Sequence, residues 1–94
     1  MEQPKISFRT QVLLTIHDFQ TEYGHGIQFN QLHKRSGLDR VIVSKSFDSL
    51  MDMGMIEDQW MLENCKWNKV IRIPSIQLDF VTRIRNEIEV ASNE

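Results

Sequence analysis

The stretch SGLDRVIVSKSFDSLMDMGMIEDQW, Ser36 to Trp60, carries the strongest pattern in this 94-residue chain. Gly37 breaks whatever helix precedes it, Leu38 is spaced to pack inward, and Asp39 is a helix N-cap residue. Val43, Phe47, Leu50 and Met51 then recur at helical intervals and give the next helix, about 39–53, an apolar face. Gly54 stands where a helix ends on a left-handed residue. The aliphatic pair Met55-Ile56 leads into alternating polar and apolar residues, the signature of a strand.

Working back from Ser36, "QLHKRS" predicts a second, short helix capped by Asn30, with Leu32 as its buried residue. "HGIQF" alternates well enough for a very short strand. Phe8, Val12, Leu13, Ile16, Phe19 and Tyr23 follow steps of three and four, predicting a first helix over roughly 8–23. Ser7 is its N-cap and Gly24 its stop.

Working forward, "MIEDQWMLENCKWNKVIRI" predicts a hairpin over 56–73. A two-residue turn at Glu63-Asn64 sets Trp60 opposite Trp67, Asp58 opposite Lys69 and Ile56 opposite Ile71. That register gives an aromatic, an ionic and a β-branched pair on one face. A longer loop sets Asp58 against Ile71 and loses the agreement. In this reading the tryptophans are a packing pair, with stacking on nucleobases as the other use open to them. Pro74 closes the hairpin and Ser75 is the expected cap of a last helix, 76–92. On it, Ile76, Phe80, Val81, Ile84, Ile88 and Ala91 form one broad stripe; within it Val81, Ile84, Ile88 and Ala91 step by three, four and three, as a coiled-coil seam does, and predict a surface for a second copy of the chain.

The totals exclude several classes. One domain, 1–94, is expected, because no repeat, linker or low-complexity tract divides the chain. No apolar run approaches the roughly 20 residues of a membrane span, and none resembles a secretory leader, so a cytoplasmic protein with no membrane partner is expected. A single cysteine, Cys65, rules out an internal disulfide framework; an inert thiol and an intersubunit disulfide are the two readings open to it. His17, His25, His33 and Cys65 lack paired-ligand spacing, so neither metal nor other cofactor is expected. No nucleophile elbow, phosphate-cradling glycine loop or zinc-hydrolase motif is present, and no catalytic residue or enzymatic activity is expected. The net charge is −2, yet residues 1–47 hold six Lys/Arg against four acids and the remainder five against nine. The basic excess therefore lies in the half containing Lys34 to Lys45.

The order helix, short strand, helix, tight turn, helix, hairpin, helix is an α+β, mainly α arrangement. It resembles the winged helix-turn-helix regulators of MarR and ArsR type. The resemblance rests on "IQFNQLHKRSGLDRVIVSKSFDSLMDMGMIEDQW", residues 27–60: Leu32, Gly37, Val43-Ser44-Lys45, Leu50, Gly54 and Met55-Ile56 stand at that pattern's packing and turn positions. It implies a homodimer on double-stranded DNA that regulates transcription, by occlusion. The third helix would then be a recognition helix presenting Arg40, Val41, Ser44 and Lys45 to the major groove. Lys34 and Arg35 would approach phosphates, Lys66 and Lys69 would act from the wing, and Val81, Ile84, Ile88 and Ala91 would join the two copies. Three departures are visible. The hairpin tip is "LENCK" rather than arginine-bearing, the recognition helix has no Cys-x-Cys pair, and the chain lacks length for the terminal helices that build a MarR effector pocket. The last speaks against a small-molecule effector. The rival function from another class is a winged-helix module that binds a protein, which the net negative charge and the acidic tip favour.

Overall fold

The computed structural model describes residues 6–93. Its elements are α1 (Phe8–Tyr23), β1 (Ile27–Gln28), α2 (Phe29–Ser36), α3 (Arg40–Asp52), β2 (Glu57–Glu63), β3 (Lys66–Arg72) and α4 (Ser75–Asn93). The three strands form one antiparallel sheet in the order β1-β3-β2.

Local chemistry sets most of the boundaries. The Ser7 hydroxyl accepts from the Thr10 amide at 3.2 Å and opens α1, while Gly24, at φ 76°, returns its N–H to the Gln20 carbonyl and ends it. Asp39 caps α3 by accepting from the Val41 amide at 2.8 Å. At the other end the Met55 and Gly54 amides close back on the Leu50 and Met51 carbonyls, with Gly54 left-handed at φ 71°. This paired closure satisfies carbonyls that the helix would otherwise leave bare. The second helix departs from expectation: it starts at Phe29 with Gln28 as N-cap, so Asn30 lies inside its first turn.

Helix α1 is the centre of the packing. It contacts α2, α3, α4, β1 and β3. Val12, Leu13, Leu14 and Ile16 of α1 join Leu32 of α2, Val43, Phe47 and Leu50 of α3, and Ile71 and Ile73 in one buried cluster. Leu14 and His17 are buried where the expected stripe had Phe8 and Tyr23, and these two are about half exposed. His17 bridges α1 to α4, with Nε2 3.1 Å from Thr82 Oγ1 and Nδ1 3.1 Å from Asp18 Oδ1. Asp18 also pairs with Arg85 of α4 at 3.3 Å.

Two expectations are corrected here. The hairpin turns at Asn64-Cys65, not Glu63-Asn64, with both residues left-handed at φ 51° and 63°. Trp60 therefore lies opposite Lys69, Leu62 opposite Trp67 and Asp58 opposite Ile71. Two consecutive left-handed residues make the turn whose twist suits a two-residue hairpin, and that turn geometry overrides the pairing expected on side-chain grounds. Because side chains alternate with a period of two, this offset leaves each residue on its expected face. The Asp58–Lys69 ion pair survives as a diagonal contact at 3.4 Å.

The second correction concerns α4. Val81 is fully buried in the core of its own chain, and Ile84 and Ile88 pack half-buried against that same core. The stripe read as a surface for another copy is mainly the face that holds α4 to α1. Only Ala91 of the four is exposed.

Candidate nucleic-acid interface

The buried positions of α3 decide what it shows to solvent. With Val43, Ser46, Phe47 and Leu50 turned inward, Arg40, Val41, Ser44 and Lys45 are left exposed at its amino-terminal half. Val41 is 61% exposed. The Asp39 carboxylate is occupied as the helix cap, so it faces the start of α3 and not its outer side.

Helix α2 holds this surface at a fixed angle. Nδ1 of His33 donates to the Leu38 carbonyl at 3.0 Å, and the Ser36 hydroxyl accepts from the Leu38 amide at 3.3 Å. Gly37, left-handed at φ 71°, completes a turn tight enough to bring α3 directly after α2. A recess of about 180 Å³ opens between the two helices, lined by Phe29, Asn30, His33, Arg40, Val43 and Ser44. Arg40 and Ser44 thus share an edge with Asn30, a residue expected from the sequence only as a helix cap.

The basic residues are not equivalent. Lys45 shares a shallow depression with Ser7, Arg9 and Ser49. Arg9 is held there by a 3.1 Å hydrogen bond to the Ser49 hydroxyl. Arg9 is the one cation of this surface that sequence reasoning missed, since a charge in the first turn of α1 gives no sign that it lands beside α3. Lys34 is exposed on α2. Arg35 is engaged elsewhere: its guanidinium lies 4.8 Å from the Phe19 ring and 5.3 Å from the Tyr23 ring, and it donates to the Tyr23 hydroxyl at 3.2 Å. It braces the end of α1.

On the hairpin, Lys66 is exposed beside the turn. Lys69 is not free for a distant phosphate. Its Nζ lies 4.6 Å from the Phe47 ring and 5.5 Å from the Phe29 ring, themselves in edge-to-face contact, and pairs with Asp58. An ammonium over two rings and beside a carboxylate is a local fastener between wing and α3. Among the described residues, the ion pairs are Lys69–Asp58, Arg72–Glu57, Arg85–Asp18 and His17–Asp18; Lys45 does not pair with Asp48. No group of three or more metal-ligating side chains occurs among the described residues, and none of their helices is long and apolar enough to cross a membrane.

Helix, strand, two helices in a tight turn, hairpin and closing helix constitute a winged helix-turn-helix fold. It is shared by the PcaV transcriptional regulator from Streptomyces coelicolor at 17% identity and TM-score 0.70, over 94% of this chain and 58% of that one. SSV1 F-93 superposes at TM-score 0.67 and 12% identity, with 98% of each chain covered. Sso10a-2, a DNA-binding protein from Sulfolobus solfataricus, matches at TM-score 0.64 and 18% identity over 89% of this chain and 81% of its own. No protein-family model and no curated protein matches the sequence. At these identities the likeness is one of fold.

Proposed function

We propose that this protein binds duplex DNA through the exposed amino-terminal half of α3 and acts as a regulator of transcription in the cytoplasm. The observation that carries the reading is the cluster of Arg40, Ser44 and Lys45 on an outward helix face, with Arg9 fixed beside it by Ser49. Arg and Lys there donate to guanine edges, and Ser to either base type. Arg9 lies at its border, and Arg9 together with Lys34, exposed on α2, takes phosphates. Structures of the same fold include proteins described as a transcriptional regulator and a DNA-binding protein, which agrees with this use.

The active form in this reading is a homodimer that occludes its operator. Support comes from a line of α4 residues other than the expected seam of Val81, Ile84, Ile88 and Ala91. Ile76, Phe80 and Val90 are exposed and, with Arg83 and Glu87, recur in steps of four, three, four and three. Phe80 sits about 100° around the helix from buried Val81, Arg83 about 160° and Val90 about 180°, so this stripe looks mostly away from the chain's own core. Two copies joined there would present recognition helices to successive major grooves about one helical turn apart.

Fluorescence anisotropy of a labelled duplex, titrated with protein at several salt concentrations, tests the DNA reading. Binding should weaken with salt by a log–log slope of about −0.9 per phosphate neutralised. The double variant Arg40→Glu, Lys45→Glu should lose it. No binding by the wild type at low salt would exclude DNA and turn attention to a protein partner for the same surface.

A further inference from the structure

The hairpin is an unusual wing. Residues 57–72 carry three acids, Glu57, Asp58 and Glu63, against three bases, Lys66, Lys69 and Arg72. Asp58 and Glu57 are paired with Lys69 and Arg72. A wing of zero net charge with four of its six charges already paired gains little from phosphates. Beside exposed Glu63 and Lys66 at the turn, it presents large apolar side chains. Trp60 and Trp67 are 60% and 65% exposed, and Leu62, directly opposite Trp67, is 61% exposed.

These three share the hairpin face of Lys69 and Ile71, by the alternation of the strands. That face is turned toward α2 and α3, because Lys69 rests on Phe29 and Phe47. Moving outward from buried Ile71 the same face reads Lys69 and Trp60, then Trp67 and Leu62. From Ile71 to the turn the hairpin extends about 20 Å. Half a turn of B-form DNA, the distance from a major groove to the adjacent minor groove, is about 17 Å.

Resting on the DNA reading above, we infer that Trp60, Leu62 and Trp67 form an apolar contact surface for the minor groove beside the one α3 enters. Packing against deoxyribose walls and wedging between base steps takes the place of the arginine contact that the tip lacks, with Lys66 beside the turn left for a phosphate. The chemistry suits the surface: a tryptophan ring offers a large apolar area at small cost in conformational freedom, and an apolar wedge at a base step needs no particular base. Minor-groove binders commonly use apolar side chains as wedges. The wing in this protein would contribute affinity and local DNA distortion, and α3 the base reading.

The two tryptophans of the chain are Trp60 and Trp67, so intrinsic fluorescence reports on this face alone. The test is a titration with a mixed-sequence duplex of about 25 base pairs, a little over two helical turns. Emission and the anisotropy of a DNA label are followed together. Emission is expected to be quenched and blue-shifted in step with the anisotropy rise. Trp60→Ala, Trp67→Ala should weaken binding about tenfold or more while leaving the salt slope unchanged, because no phosphate contact is removed. Trp60→Phe, Trp67→Phe should recover most of the affinity, which separates the apolar contact from a folding defect. If anisotropy reports binding while emission does not move and the alanine pair binds like wild type, the wing inference is overturned and the DNA reading stands. If anisotropy reports no binding at low salt, both fall.

Discussion

Gln20 and Ile73 exchange two hydrogen bonds. The Ile73 amide donates to Oε1 at 2.8 Å, and Nε2 donates to the Ile73 carbonyl at 3.1 Å. A side-chain amide here stands in for a neighbouring strand at the point where β3 has ended and α4 has not begun. It pins the exit of the hairpin to α1.

Gln20→Ala strips both partners from the buried Ile73 backbone. The expected loss is about 1–3 kcal/mol, read from urea unfolding with unchanged m-value. Gln20→Glu should be no better, since a carboxylate accepts from the amide but confronts the carbonyl with another acceptor. Wild-type stability in either variant would show that the pair contributes nothing.

The turn offers the opposite sign. Asn64 and Cys65 both occupy left-handed backbone, a conformation glycine adopts without steric cost and cysteine does not. Cys65→Gly creates the Asn-Gly pair best suited to such a turn. Stability should rise by about 0.5–1 kcal/mol, or a few degrees in Tm for a domain of this size. A drop in Tm would mean that cysteine makes contacts at the tip which outweigh its strain.

At Gly26 the constraint is contact, not conformation. A Cβ there would lie 2.6 Å from the Ile71 carbonyl oxygen and from Val70 Cγ1. Gly26→Ala should force β1 away from β3 at a cost of about 1–3 kcal/mol. Faster amide exchange at Ile27 and Ile71, in the β1–β3 pairing, is the local signature to look for. Unchanged exchange and stability would show that β1 can shift without cost.

The α4 stripe separates assembly from folding. Phe80→Glu, Val90→Glu changes two exposed residues and should convert a dimer to monomer in sedimentation equilibrium while the circular dichroism stays native. Val81→Glu, by contrast, buries an unpaired charge and should unfold the chain. A wild type that sediments as a monomer, or a Glu variant that remains dimeric, would remove this face from the dimer reading.

Much of the architecture was legible because its signals are local. Ser7, Gly24, Gly37, Asp39 and Gly54 each act within a turn of their own position, and each stands where its chemistry places it. The hairpin register was less accessible. Cross-strand matching of Asp58 with Lys69 and of the two tryptophans pointed one way, but the Asn64-Cys65 turn decided the offset, and Lys69 reaches Asp58 on the diagonal. Periodicity found an apolar face on α4 without saying whether α1 or another molecule covers it. Val81 shows that α1 does. Arg9 illustrates the remaining gap: its place beside Lys45 depends on how α1 crosses α3, and nothing in its sequence neighbourhood encodes that crossing.

The central position of α1 has a geometric consequence. It packs against both α3 and α4, with His17 and Asp18 stitching it to Thr82 and Arg85. In the proposed dimer joined through α4, the separation of the two copies of α3 would be measured off through two copies of α1, as through the arms of a caliper. A small roll of α4 against α1 would be magnified at the far end into a change of span. In that proposed dimer the seam around His17 would therefore set whether the two reading heads match one turn of a duplex.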